Sequence, residues 1–235
     1  MSRSLVNKNS KSVSSAKPAD VRLENGDAVQ VRQAPRDRIV STACELFRQH
    51  GIRGIGVDAI AEAAETNKMT LYRHFGSKDD LICETLRFTS EKAAAFWDQL
   101  EASHPNDPMA QLHSWVKARA RCLADDKYGC DLANAAVELK EQGHPAHAVI
   151  ENFKLDQQRR LEKLCRDAGV SEPELLSDTL SMLMEGAQVS KLATGSEGPS
   201  MRFLRACEAA IASFRQPANA ALAPTPETAC TILPA

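Results

Sequence analysis

The sequence has no overall excess of basic residues, no cysteine pair spaced as CxxC and no long apolar run, and each absence excludes something. With a net charge of -2 the chain is not basic throughout, so any attraction to nucleic acid has to come from a local patch. Seven cysteines stand at 44, 83, 122, 130, 165, 207 and 230. An odd, scattered set predicts reduced thiols and a cytoplasmic setting rather than a disulfide framework. No apolar stretch reaches the roughly 18 residues of a membrane span, so no membrane partner is expected. The opening MSRSLVNKNSKS also lacks the apolar stretch of a secretory signal. There is no P-loop, no GxSxG and no HExxH, so the sequence gives no ground for an enzyme, a cofactor or a metal. What is present is a core-forming composition. Over 235 residues, 43% are apolar and 26% charged, enough for one large domain or a small one joined to a larger.

Almost everything between the two ends reads as helix, so the expected fold class is all-α. Residues 1–34, rich in Ser, Lys and Asn, have no sustained apolar period and read as a disordered arm. Arg3, Lys8, Lys11, Lys17, Arg22 and Arg32 outnumber Asp20, Glu24 and Asp27 there. The arm is either an inert tail or a source of added phosphate or minor-groove contacts. Residues 216–235 hold Pro217, Pro224, Pro226 and Pro234 and read as a disordered tail. Between them, Pro35 suits the first turn of a helix that buries Ile39, Ala43, Leu46 and Phe47 and stops at Gly51. Val57, Ile60, Ala61 and Ala64 repeat that spacing in a second, short helix. Asn67 caps a third, which presents Leu71 and ends near Phe75 and Gly76. Ser77, with Asp80 three residues on, forms a capping box for the next. Longer helices are expected at about 78–101, 108–126, 129–141, 145–168, 173–194 and 199–215, with no strand and no internal repeat.

Two short helices joined by about three residues, at 57–64 and 68–74, have the spacing of a helix-turn-helix. The window Asn67–Lys78 holds Lys68, Arg73 and Lys78, no acid, and His74 besides. Over 35–80 seven basic residues face seven acidic ones, so the positive charge is concentrated where contact with phosphate is expected. The stretch VDAIAEAAETNKMTLYRHFGSKDDL, and TLYRHFGSK within it most of all, resembles the signature of TetR-family regulators, from Arg36 to Leu86. The resemblance implies an N-terminal three-helix DNA-binding domain (35–80), followed by a larger helical effector-binding and dimerisation domain (81–215). It implies that Tyr72 and Lys78 meet phosphates, that Thr70 meets the backbone or a thymine methyl, and that His74 touches phosphate. Asn67, Lys68, Met69 and Arg73 are then the base readers, with Arg36, Arg38 and the weaker Arg53 approaching the DNA backbone. Two positions depart from the family pattern. Glu65 stands where glycine is usual in the turn, and Gly56 replaces a hydroxyl residue at the second helix's N-cap.

The helix 173–194 carries two adjoining apolar stripes. One is Leu175, Met182, Gly186, Val189 and Ala193; the other is Leu176, Leu180, Leu183 and Ala187. So broad a face predicts burial against a second copy. The last helix, with Phe203, Leu204, Cys207, Ala210, Ile211 and Phe214, is similarly broad. The expected interface of a homodimer is therefore Leu176, Leu183, Gly186, Val189, Phe203, Cys207, Ala210 and Phe214, in accord with how the family dimerises. The resemblance further implies a cavity among the middle helices. Trp97, Trp115, Cys122, Cys130, Asn134, Phe153 and Met182 are the candidates for its wall, and a small lipophilic molecule the expected effector. Cys130, after Gly129 at a helix entry, reads either as an activated thiol or as an inert one. His144 and His147 have metal-ligand spacing but no third ligand, so a solvated helix start is the simpler reading. Together these readings describe a dimeric regulator that grips a double-stranded operator and lets go when its effector binds, a repressor by resemblance; the alternative is a helical protein-interaction module, or an enzyme, that binds no DNA.

Overall fold

In a computed structural model of the chain, residues 33–195 and 198–215 are described. Apart from residues 33 and 34, the expected arm lies outside the described residues, and so does the expected tail. Among the described residues the helices are α1 (Pro35–His50), α2 (Val57–Ala63), α3 (Lys68–Phe75), α4 (Lys78–Ser103), α5 (Pro108–Asp125), α6 (Asp131–Glu138), α7 (Ala146–Asp167), α8 (Pro173–Thr194) and α9 (Gly198–Phe214). The one extended pairing among them is an isolated antiparallel bridge, Val170 with Arg215. The all-α expectation is therefore met. No helix among the described residues is long and apolar enough to cross a membrane.

Local chemistry accounts for most helix ends. Pro108 and Pro173 sit in the first turns of α5 and α8, where a missing N–H costs nothing. Asn67, Ser77 and Asp107 accept side-chain caps from Thr70, Asp80 and Ala110. Gly76 turns the chain between α3 and α4 at φ 73, a conformation that strains any L side chain.

α6 is shorter than the expected 129–141. It begins after Cys130, its N-cap, and ends at Glu138 because its last carbonyls are taken from the side. Arg53 Nε donates to the Glu138 carbonyl at 3.0 Å, and the His147 ring meets the Leu139 carbonyl at 2.6 Å. Tertiary partners thus replace the next helical turn.

Two cores hold the helices. The first joins Ile39, Ala43 and Phe47 of α1, Ile60 of α2, Leu71 and Phe75 of α3 and the first half of α4 to Leu132, Ala135 and Ile150 of α6 and α7. The second joins Trp97 and Leu100 of α4 to Leu112, Trp115 and Val116 of α5, Leu161 and Leu164 of α7, Leu176 and Leu180 of α8, and Phe203, Cys207 and Ile211 of α9. α4 and α7 run through both. The N-terminal helices therefore share their core with α6 rather than closing one of their own at residue 80.

This packing corrects much of the expected dimer surface. Leu176, Phe203 and Cys207 lie in the second core, with at most 2% of their surface exposed, which leaves them almost no surface to offer a second copy. Leu183, Ala210 and Phe214 are partly buried against the same core. One stripe of α8 packs on α7 and α9, so the adjoining stripe is left outside. Val189 and Met182 are each 67% exposed, Leu175 49%, and Gly186 and Ala193 lie open beside them. Met182, expected in a cavity wall, therefore belongs to this outer face.

Candidate nucleic-acid interface

The turn between α2 and α3 is built from backbone bonds. Glu65 N–H donates to Glu62 O at 3.0 Å, and Thr66 N–H donates to Ala61 O at 2.9 Å, which bends the chain back over the end of α2. The bend places Glu65 at φ 50, in the left-handed region where the family pattern has glycine. The glutamate accepts that strain. Arg38 of α1 holds the bend in place, donating from Nε to Ala64 O at 2.8 Å and from Nη2 to Glu65 O at 3.4 Å. A left-handed L residue costs about 1–2 kcal/mol. Glu65→Gly is therefore expected to stabilise the fold by about 1 kcal/mol and raise its midpoint by roughly 2–4 °C in a thermal melt. A lower midpoint would mean that the Glu65 side chain holds the turn.

α2 starts at Gly56 with no side-chain cap, so the missing hydroxyl is not replaced locally. α3 starts at Asn67, whose side-chain oxygen accepts from Thr70 N–H at 2.8 Å. That oxygen is committed to the cap, and only the amide NH2 of Asn67 is left to meet a base. Leu71, wholly buried, and Phe75 anchor α3 to the first core. Everything else on the helix faces outward. Met69 is 78% exposed, Arg73 follows one turn later, and Lys68, Tyr72 and His74 flank them. Arg73 makes no hydrogen bond or ion pair among the described residues. Lys68 Nζ rests 3.0 Å from the Asp58 carboxylate, both groups well exposed. Asp58 holds the Lys68 ammonium above its ordinary pKa, and an exposed pair of this kind contributes little, so a phosphate can compete for it.

The other expected contacts already have protein partners, a carbonyl or carboxylate within reach of each; Lys78 and Arg38 are partly buried, whereas Arg36 and Arg53 hold their partners at the exposed surface. Lys78 Nζ donates to Ile52 O at 2.7 Å and lies 6.0 Å from the centre of the Phe47 ring; burial lowers its pKa. Its ammonium ties the α1–α2 loop to α4 and is not presented to a phosphate. Arg36 pairs with Glu84 at 2.5 Å across Phe75 and, as the nearest cation, holds the Glu84 carboxyl below its usual range. Arg38 is occupied by the turn, and Arg53 by Glu141 and the Glu138 carbonyl. The expected contacts that share one outward face are those of α3: Asn67 through its NH2, Lys68, Met69, Thr70, Tyr72, Arg73 and His74.

Behind this face, Arg48 of α1 joins the reader to the rest of the chain, a role no motif marks. It pairs with Asp126 at 2.7 Å and Asp131 at 3.0 Å, and Thr89 donates to Asp131 at 3.2 Å. Burial raises the Asp131 pKa, and Arg48 opposes that rise. A cavity of about 30 Å³, enough for a water, lies here between α1, α4 and α6, with Cys44, Arg48, Thr89, Asp131 and Asn134 in its wall.

The expected effector wall does not form one cavity. Trp97 and Trp115 are buried in the second core, with Trp97 Nε1 donating to Gln157 at 2.9 Å. Cys130 and Phe153 pack on the first core, Cys122 is exposed, and Asn134 donates to Tyr128 O at 2.7 Å. The N-cap of α6 turns Cys130 and Asn134 toward α1 and α4, whereas the tryptophans sit farther along the bundle. His144 and His147 share no ligand position. The His144 side chain is 8% exposed and lies 3.5 Å from Asp79, while His147 is bonded to Leu139 O, so this helix start is partly buried rather than solvated. Arg119, on the buried side of α5, carries no motif either.

The model of the tetR family of bacterial regulatory proteins matches residues 39–85, which span α1 to the first turns of α4. The crystal structure of a TetR-family transcriptional regulator from Streptomyces coelicolor superposes with a TM-score of 0.72 at 26% identity, covering 77% of this chain and 96% of that one. The HTH-type transcriptional regulator YjdC of Escherichia coli is 21% identical over 69% of this chain and 85% of its own length. An HTH-type transcriptional repressor of Streptomyces coelicolor is 37% identical over 36% of this chain and 40% of its own length.

Proposed function

Because the chain belongs to the tetR family of DNA-binding transcription regulators, we propose that it works as a homodimeric repressor, held on its operator by two copies of α3 and released by a small lipophilic effector. The observation that carries this reading is the division of labour among the cations. Arg36, Arg38, Arg48, Arg53 and Lys78 are engaged by the protein, whereas Arg73 projects without a partner among the described residues from the most exposed face of α3. In the major groove, Arg73 has the reach for a bidentate contact to guanine, Met69 one turn away for an apolar contact, and Tyr72 for a phosphate. The similar repressor of Streptomyces coelicolor supports repression as the outcome.

The second copy docks on the outer stripe of α8, where Gly186 lets the helices approach and Met182 and Val189 supply apolar area. An effector acts only through its different affinity for the DNA-holding and DNA-releasing states. Two routes carry that difference to α3. α4 runs from Lys78 at the reader into the second core, and α6 grips α1 through Asp131 and Arg48.

A gel shift with DNA flanking the chain's own gene tests the proposal. A retarded band is expected that weakens steeply with salt and disappears as a lipophilic effector is titrated in. A band unaffected by salt, or no band on any duplex, would contradict it.

A further inference from the structure

α5 buries one side, and an arginine stands in the middle of it. Leu112, Val116, Arg119 and Leu123 fall within a sector of about 60° on the helix. The three apolar members are buried. The guanidinium of Arg119 lies 4.5 Å from the centre of the Phe96 ring of α4 and 5.7 Å from that of Trp115, one turn back on α5. Among the described residues it has no hydrogen bond and no ion pair. The ionisable side chains that face it are the thiols of Cys122 and Cys130, with no carboxylate among them. Beside it a second donor is idle, since Trp115 Nε1 is buried without a hydrogen-bond partner.

A cation turned into a bundle without a counter-charge is destabilising, and stacking on two rings offsets only part of that cost. So is an indole N–H that has left water and found no acceptor. Both are explained if an anion arrives from outside. Arg119 is partly exposed, so a solute can reach its guanidinium, whereas the indole N–H is buried and meets that solute only when the side chains over it part.

We propose that Arg119 and the Trp115 indole N–H form an anion site between α4 and α5 that takes a small carboxylate with an apolar body. The guanidinium offers a two-pronged match to a carboxylate, the indole N–H a further hydrogen bond, and the faces of Phe96 and Trp115 a surface for the apolar part. This rests on the effector-binding role given above to the helices behind the reader, and it names the effector's class.

The test uses the full-length chain and the fluorescence of its two tryptophans, Trp97 and Trp115. The chain is titrated with benzoate, 4-phenylbutyrate and decanoate, each beside the alcohol of the same skeleton. At least one acid is expected to bind saturably and ten or more times tighter than its alcohol. Arg119→Met should erase that preference, Arg119→Lys should keep part of it, and Arg119→Met without probe should melt no lower than the unsubstituted chain. Equal binding of all three acids and their alcohols would overturn the proposal, as would an acid preference that survives Arg119→Met. A clearly lower melting point of Arg119→Met without probe would also overturn it, by making the stack on Phe96 a structural strut. Operator binding by the same samples keeps the two readings apart. If Arg119→Met still shifts DNA while losing its acid preference, the anion site is supported. If the unsubstituted chain shifts no DNA, the regulator reading fails and the fluorescence result stands by itself.

Discussion

Replacing Tyr72 and Arg73 together with alanine is expected to lower operator affinity by roughly two to four orders of magnitude while leaving the fold intact. A bidentate arginine–guanine contact contributes about 1–3 kcal/mol of discrimination, and a two-fold complex loses it at both half-sites. The tyrosine adds a phosphate contact at each. Neither side chain is buried, and Leu71 and Phe75 alone hold α3 to the core. The double variant should therefore unfold within about 0.5 kcal/mol of the unsubstituted chain. The pattern of loss tells the two roles apart. If Arg73 reads a base, its single alanine variant loses discrimination at one position per half-site; if it meets only phosphate, affinity falls alike on all sequences and the salt slope shrinks by about one per copy. Unchanged affinity in the double variant would remove α3 from the interface. Lys78→Ala is unsuited to the same purpose, because it would release the α1–α2 loop from α4.

Val189→Arg should split the proposed dimer. Val189 is 67% exposed in the single chain, so the substitution leaves the second core untouched. At a two-fold contact, however, the arginine faces apolar surface and its own copy. An uncompensated charge buried in this way costs about 3–5 kcal/mol, which weakens association by a factor of about 10²–10⁴. Sedimentation at micromolar concentration should show a folded monomer. Loss of the second reader should then lower operator affinity by a further factor of about 10²–10⁴. A dimer of undiminished strength would place the interface elsewhere than on the outer stripe of α8.

The sequence showed the helices through their proline and glycine punctuation and their apolar period. It also showed the inward and outward faces of α3, because Leu71 and Phe75 are apolar residues four apart and so share one face of the helix. Glu65 was legible as a departure that either changed the turn or strained it, and its left-handed backbone decides for strain. Long side chains were not legible. Lys78, Arg36, Arg38 and Arg53 have stems that let the charge choose among partners several ångströms apart, and that choice depends on which helix lies alongside. The two stripes of α8 are both apolar, so only the position of α7 and α9 decides which is buried. Leu176 was assigned outward and lies inward for that reason. The short α6 had the same origin, in Arg53 and His147 capturing its last carbonyls. Arg119 did carry a sign, a charge at a buried register position on α5, and its neighbours Phe96 and Trp115 give that position its meaning.

The central claim is that two copies of α3 enter neighbouring turns of one face of a duplex. A hydroxyl-radical footprint on the operator measures this directly. Two protected patches of equal strength are expected, related by a two-fold axis and centred about 34–36 Å or a multiple of that apart, and both should vanish with Tyr72→Ala and Arg73→Ala combined. A single patch without symmetry, or protection that persists in that variant, would contradict the account.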